Sequence, residues 1–126
     1  MNEPSVLIVE NDPGAVEAFE PMLKNRGYTV RVANDASTGF REIGRMVPDA
    51  MLIDLHLPDV NGVEFLRQIR STPSGANIPA ALITGDYLLE ENIVSDVQIL
   101  RAKIYFKPLW EEDLLAIVAK LLGSRP

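Results

Sequence analysis

The chain has 126 residues, 47% of them apolar, with no cysteine, one histidine and a formal net charge of −6. That length suits one compact domain with a single core; the lack of cysteine excludes disulfides and thiolate metal sites, and a lone histidine argues against zinc. The acidic balance opposes non-specific nucleic-acid binding, which needs a basic face, no apolar run approaches the roughly 20 residues of a membrane span, and the start "MNEPS" lacks the basic-then-apolar pattern of a secretory signal, so a cytoplasmic setting is expected.

Apolar runs of strand length alternate along the chain with amphipathic runs of helix length. Val6–Val9 predicts a first strand that stops abruptly at Glu10, Asn11 and Asp12. Asn11 or Asp12 can cap a helix whose first turn holds Pro13, where a missing N–H costs nothing. Val16, Phe19, Met22 and Leu23 recur at helical spacing, and Gly27 ends the helix; Pro21, inside the pattern, predicts a kink or an early break. "YTVRVA", 28–33, alternates like a half-buried or edge strand, and "DASTGFREIGRM" follows as a helix capped by Asp35 or Ser37. "AMLIDL", 50–55, is the most apolar strand and is expected at the centre of a sheet. "VEFLRQIR", 63–70, is helical, and "IPAALIT", 78–84, is a fourth strand with Pro79 confined to its beginning. "LLEENIVSDVQIL", 88–100, predicts a fourth helix, "IYF", 104–106, a fifth strand, and "WEEDLLAIVAKLL", 110–122, a closing helix with acids in its first turn and Lys120 in its last. "GSRP" at the end reads as a tail.

Five strand–helix units imply an α/β fold, a doubly wound parallel sheet with helices on both faces, for which the order 2-1-3-4-5 is the common solution at this size. Ligands of such sheets bind outside the carboxyl ends of the strands, beside the switch point between strands 1 and 3. There the pattern places Glu10, Asn11 and Asp12 after strand 1, Asp54 near the end of strand 3, Thr84 at the end of strand 4, and Lys107 followed by Pro108 after strand 5. Asp54 is the informative member, because an acid inside an apolar run needs compensation. A carboxylate nucleophile among acids, a hydroxyl and an ammonium suits phosphoryl transfer: the acids hold a hard cation, and Thr and Lys bond the phosphoryl oxygens.

"VLIVEN", "LIDLHLPDVNG", "ALITG" and "YFKP", in this order across nearly the whole chain, resemble the motifs of response-regulator receiver domains of two-component signalling. The resemblance implies the flavodoxin-like receiver fold and a single receiver domain over 1–126, with a core of about 5–122; no output domain is expected after Leu122, as in a single-domain regulator or a receiver cut from a hybrid kinase or longer regulator. It implies that Asp54 accepts a phosphoryl group from a histidine kinase or phosphotransfer protein with Mg2+. In that pattern Glu10 and Asn11 match the acidic metal pair, His56 supplies a backbone carbonyl to the metal, and Thr84 and Lys107 are the hydroxyl and the lysine. Pro108 follows in a cis peptide, and Pro58 and Gly62 set the turn after strand 3. Such a domain switches the binding of a downstream protein; it assists its own phosphorylation and dephosphorylation and is not otherwise an enzyme.

The chain departs from the family pattern in places. Asn11 stands where a second acid is usual, which predicts a weakened Mg2+ site, with Asp12 the available substitute. Ile104 occupies the position of the switch aromatic, so Tyr105 and Phe106 are expected to pack. Leu100 and Arg101 replace the usual glycine and small residue before strand 5, so helix 4 or its exit should differ. His56 and Asp86 stand where the family tunes the lifetime of the phosphoryl group. On the last helix Leu114, Ile117, Val118 and Leu121 form a core stripe; Leu115, Leu122 and Trp110 belong either to a wide core face or to a homodimer or partner surface. The competing function is a pseudo-receiver, a constitutive interaction module that is not phosphorylated; Asn11 and Ile104 favour it, and Asp54, Thr84 and Lys107 oppose it. A flavin- or nucleotide-binding enzyme is disfavoured, because the loop after strand 1 has no G-x-G-x-x-G or P-loop pattern.

Overall fold

Parallel strands cannot be joined by tight turns, so each needs a crossover, and alternating helices supply it. The computed structural model describes residues 3–123; 124–126 of the expected tail lie outside the described residues. The elements are β1 (Ser5–Val9), α1 (Pro13–Asn25), β2 (Thr29–Ala33), α2 (Ala36–Arg45), β3 (Ala50–Asp54), α3 (Gly62–Arg70), β4 (Ala80–Thr84), α4 (Glu91–Ile99), β5 (Lys103–Phe106) and α5 (Glu111–Gly123). The strands form one parallel sheet in the order β2-β1-β3-β4-β5, the expected doubly wound fold.

Burial follows position in the sheet. Every residue of β3 and β4 is buried, whereas β2 and β5, at the edges, are partly exposed. Alternate side chains feed two cores. Leu7, Val9, Met51, Ile53 and Leu82 pack with Ile43, Phe65, Leu66 and Val97 on the α2–α4 face. Val6, Ile8, Leu52, Ala81 and Ile83 pack with Phe19, Leu23, Leu114, Ile117 and Val118 on the α1/α5 face. Leu115, Leu121 and Leu122 also pack against this second core, so the wide core face accounts for them; Trp110 stays 69% exposed.

Several element ends differ from expectation. α1 runs unbroken through Pro21. Pro21 removes one bond to the carbonyl of Glu17, but both residues are exposed, so water can satisfy that carbonyl while buried Phe19 and Leu23 hold the helix on the sheet. Asp12 caps α1 and Asp35 caps α2, through bonds from Gly14 N–H (3.1 Å) and Thr38 N–H (2.8 Å). β4 starts at Ala80, because Pro79 donates no ladder bond. α4 is shorter than the apolar pattern, and its N-cap, Glu90, makes no side-chain cap bond. At its exit Leu100 is the C-cap, Arg101 takes a left-handed conformation (φ 60°), and Ala102 N–H bonds back to Val97 O. Glycine usually fills that position because a side chain there is strained, so the expected departure at the exit is present.

The β3–α3 loop is tied to α2. Asp59 accepts 3.0 Å bonds from the N–H groups of Ala36 and Ser37, the otherwise unpaired donors of the helix start. The Ala36 bond is the main cause holding the Asp59 carboxyl below its ordinary pKa. Arg70, half-buried at the opposite end of α3, bonds the carbonyls of Leu100, Gly75 and Ile78; partial burial pushes its pKa down to about 10.

Candidate functional site

The strand order brings the ends of β1, β3, β4 and β5 side by side. Glu10 leaves β1 and is held by its N–H bond to Ala33 O (2.9 Å). It is 2% exposed, a carboxyl taken almost fully out of water. Its Oε1 lies 2.7 Å from Lys107 Nζ, which reaches over from the far edge of the sheet. Its Oε2 accepts the Asp12 N–H at 3.2 Å, and the Asp54 carboxyl is its acidic neighbour. Burial, reinforced by the Asp54 carboxyl, pushes the Glu10 pKa up to about 7; Lys107 and the Asp12 N–H oppose the rise.

Asp54, the last residue of β3, is 8% exposed, and its Oδ1 accepts the His56 N–H at 3.1 Å. Thr84 is fully buried; its Oγ1 accepts the Asp86 N–H at 3.0 Å, and its carbonyl accepts the Lys107 N–H at 2.8 Å. Thus Glu10 pairs with Lys107 and has Asp54 as its acidic neighbour, and Thr84 is bonded to the backbone of Lys107. The Lys107–Pro108 peptide is cis.

The other predicted residues lie around this group. Asn11 is exposed beside Glu10. Asp12 Oδ1 caps α1 by accepting the Gly14 N–H. His56 Nε2 lies 3.6 Å from Asp86 Oδ2, with both side chains largely exposed, so the two lifetime-tuning candidates face each other. Ile104 packs against the α2–α4 core and Tyr105 against the α1/α5 core. Phe106 does not join a core: it is 40% exposed and stacks on Tyr87, with ring centroids 5.2 Å apart at 24°. The Tyr87 hydroxyl donates to the Lys107 carbonyl. Sequence reasoning passed over Tyr87; its one signal is an aromatic three residues past a strand-end threonine.

The oxygen donors at the rim are two carboxylates, one amide and backbone carbonyls. Among the described residues no group of three or more His, Cys, Asp or Glu side chains forms a metal cage. Two neighbouring acids, one with a raised pKa, still make a centre where a hard cation would relieve repulsion. Sparse protein ligation suits Mg2+, which keeps several of its waters.

Comparison with known proteins agrees with this geometry. The family model for the response regulator receiver domain matches residues 6–119. The response regulator MprA of Mycobacterium leprae is 32% identical over 93% of the chain, and the probable transcriptional regulatory protein TcrX of Mycobacterium tuberculosis is 30% identical over 71%. The chain spans 50% and 37% of the lengths of these two relatives. Among solved structures, the receiver domain of a sensor histidine kinase from Pseudomonas aeruginosa, with a magnesium ion coordinated in its active-site cleft, is 27% identical with a TM-score of 0.85, covering 97% of this chain and 99% of that one. A CheY-like receiver domain protein from Methanospirillum hungatei has a TM-score of 0.88 at 24% identity, covering 97% of this chain and 95% of its own.

Proposed function

The chain belongs to the response regulator receiver domain family of two-component systems, and on that premise we propose that Asp54 accepts a phosphoryl group from a phosphohistidine and that the adduct switches binding to a downstream protein. The observation that carries this reading is the group itself: a buried acid at the end of β3 beside buried Glu10, which pairs with Lys107 at 2.7 Å. In the transfer an Asp54 carboxylate oxygen attacks phosphorus and forms an acyl phosphate. The P–N bond breaks, and its electron pair stays on the donor imidazole.

Each residue has a role in this reading. Glu10, Asn11, Asp54 and the His56 carbonyl would hold Mg2+, which when bound neutralises charge on the phosphoryl oxygens. Lys107 exchanges its Glu10 partner for a phosphoryl oxygen. Thr84 already accepts an N–H through its oxygen, leaving its own proton to donate. The receiver unit corresponds to 5–122, and the partners are a histidine kinase or phosphotransfer protein, with pairing of two copies included in the reading. Among the described residues no helix is long and apolar enough to cross a membrane.

Incubation with a small acyl-phosphate donor and Mg2+, followed by intact mass, tests this. A phosphoryl adduct that is lost in Asp54→Asn is expected. No adduct from the small donor or from a partner kinase would establish the alternative, an unphosphorylated interaction module, which the neutral Asn11 favours.

A further inference from the structure

Lys107 is held at three points. Its ammonium meets Glu10 at 2.7 Å, its N–H donates to Thr84 O at 2.8 Å, and its carbonyl receives the Tyr87 hydroxyl. The third point is unusual. The carbonyl belongs to the residue just past the end of β5, where the ladder supplies no further donor, and Pro108 carries no N–H. Tyr87 reaches it from the β4–α4 loop, which is itself attached to Thr84 through the Asp86 N–H. The Tyr87 ring lies on Phe106, the residue immediately before Lys107. One side chain therefore holds the Lys107 carbonyl and the ring of the residue before it, while its own surface remains 63% exposed. Meanwhile Ile104, at the position where the family often carries an aromatic, is packed into the α2–α4 core.

We propose that Tyr87 is a positioning residue for Lys107: its hydroxyl on the Lys107 carbonyl and its ring on Phe106 aim the ammonium at the phosphoryl site and link that site to the exposed β4–α4 loop. The proposal deepens the phosphoacceptor reading and rests on it for its consequence in signalling. Its physical content concerns the unmodified chain. Releasing the carbonyl frees the backbone on one side of the Lys107 Cα, and the ammonium at the end of a long side chain then samples more positions. Phosphorylation works the same link in reverse: an ammonium drawn from Glu10 to a phosphoryl oxygen pulls on the backbone that Tyr87 holds. The stack with Phe106 then shifts at a surface a partner can read.

Two variants of the full chain separate the contacts. Tyr87→Phe keeps the stack and removes the hydroxyl; Tyr87→Ala removes both. The first readout is proton exchange of the Lys107 ammonium by low-temperature NMR in the unphosphorylated chain, where the ion pair with Glu10 protects it. Exchange is expected to rise severalfold in Tyr87→Phe and further in Tyr87→Ala, with the urea midpoint of Tyr87→Phe unchanged. Equal exchange in Tyr87→Phe and the parent chain would overturn the proposal. The second readout is the initial rate of Asp54 phosphorylation at saturating Mg2+. Tyr87→Phe is expected to lower it several-fold, and to cost nothing further in a Lys107→Ala background. A loss of the same size in that background means that Tyr87 does not act through Lys107, and also overturns the proposal. If the parent chain takes no phosphoryl group while ammonium exchange still responds to Tyr87→Phe, the phosphoacceptor reading fails and the positioning role stands.

Discussion

Asn11 puts a neutral amide beside Glu10, at an exposed point of the rim. A unit charge about 4 Å from a cation is worth roughly 4 kcal/mol at an effective dielectric near 20, and solvent at such a rim reduces this to about 1–2 kcal/mol. Asn11→Asp is therefore expected to tighten Mg2+ binding about five- to thirtyfold, as isothermal titration would measure; a change below about twofold removes the account of a weakened site. Glu10 gives the second residue-scale prediction. Its folded pKa is raised to about 7 from 4.5, first by burial and then by Asp54. Between those values the folded chain holds more protons than the unfolded chain, so the contribution of Glu10 is fully present below about pH 4.5 and is lost as pH rises through about 7. Urea unfolding at pH 5 and pH 8 is expected to show that loss, on the order of 2–3 kcal/mol, and Glu10→Gln is expected to flatten it. Asp54 was legible in the sequence because an acid inside an apolar run stands out. Tyr87 was not, because its partners come from the path of a loop that no periodicity encodes.

Among the elements, the turn from β3 into α3 leaves no room for a side chain. Gly62 donates to the Leu55 carbonyl at 2.7 Å, and a Cβ built on it would lie 2.4 Å from the Asp54 carbonyl oxygen and 3.0 Å from Leu55 Cα. Gly62→Ala must push the turn off the strand that carries Asp54, and is expected to destabilise by about 2–3 kcal/mol in urea titration. Gly44 on α2 has nothing within 4 Å of such a Cβ, so Gly44→Ala is the control and is expected to gain about 0.5–1 kcal/mol. The existence of every element was legible from periodicity and punctuation. The ends were less so. Leu88 and Leu89 continue a helical pattern, yet α4 begins only at Glu91: the Leu88 N–H bonds the Asp86 carboxylate at 3.0 Å, a local turn that competes with helix. Pro21 should break α1 on local grounds, yet two buried anchors override it.

For the molecule as a whole, strict alternation of strand and helix was enough to expect the sheet order, and the order was enough to bring Glu10, Asp54, Thr84 and Lys107 to one rim. What alternation cannot encode is how firmly each part of that rim is fastened. The Asp59 carboxylate binds the first two amides of α2, whereas α4 starts without a side-chain cap. The consequence is a difference in clock rate across the cleft. Hydrogen–deuterium exchange is expected to find the Ala36 and Ser37 amides slow and the Glu91 and Asn92 amides fast, and Asp59→Ala is expected to bring the first pair close to the second. An approaching protein would then meet a jaw with one fixed side, which sets the register of docking, and one yielding side that moulds to whatever is held.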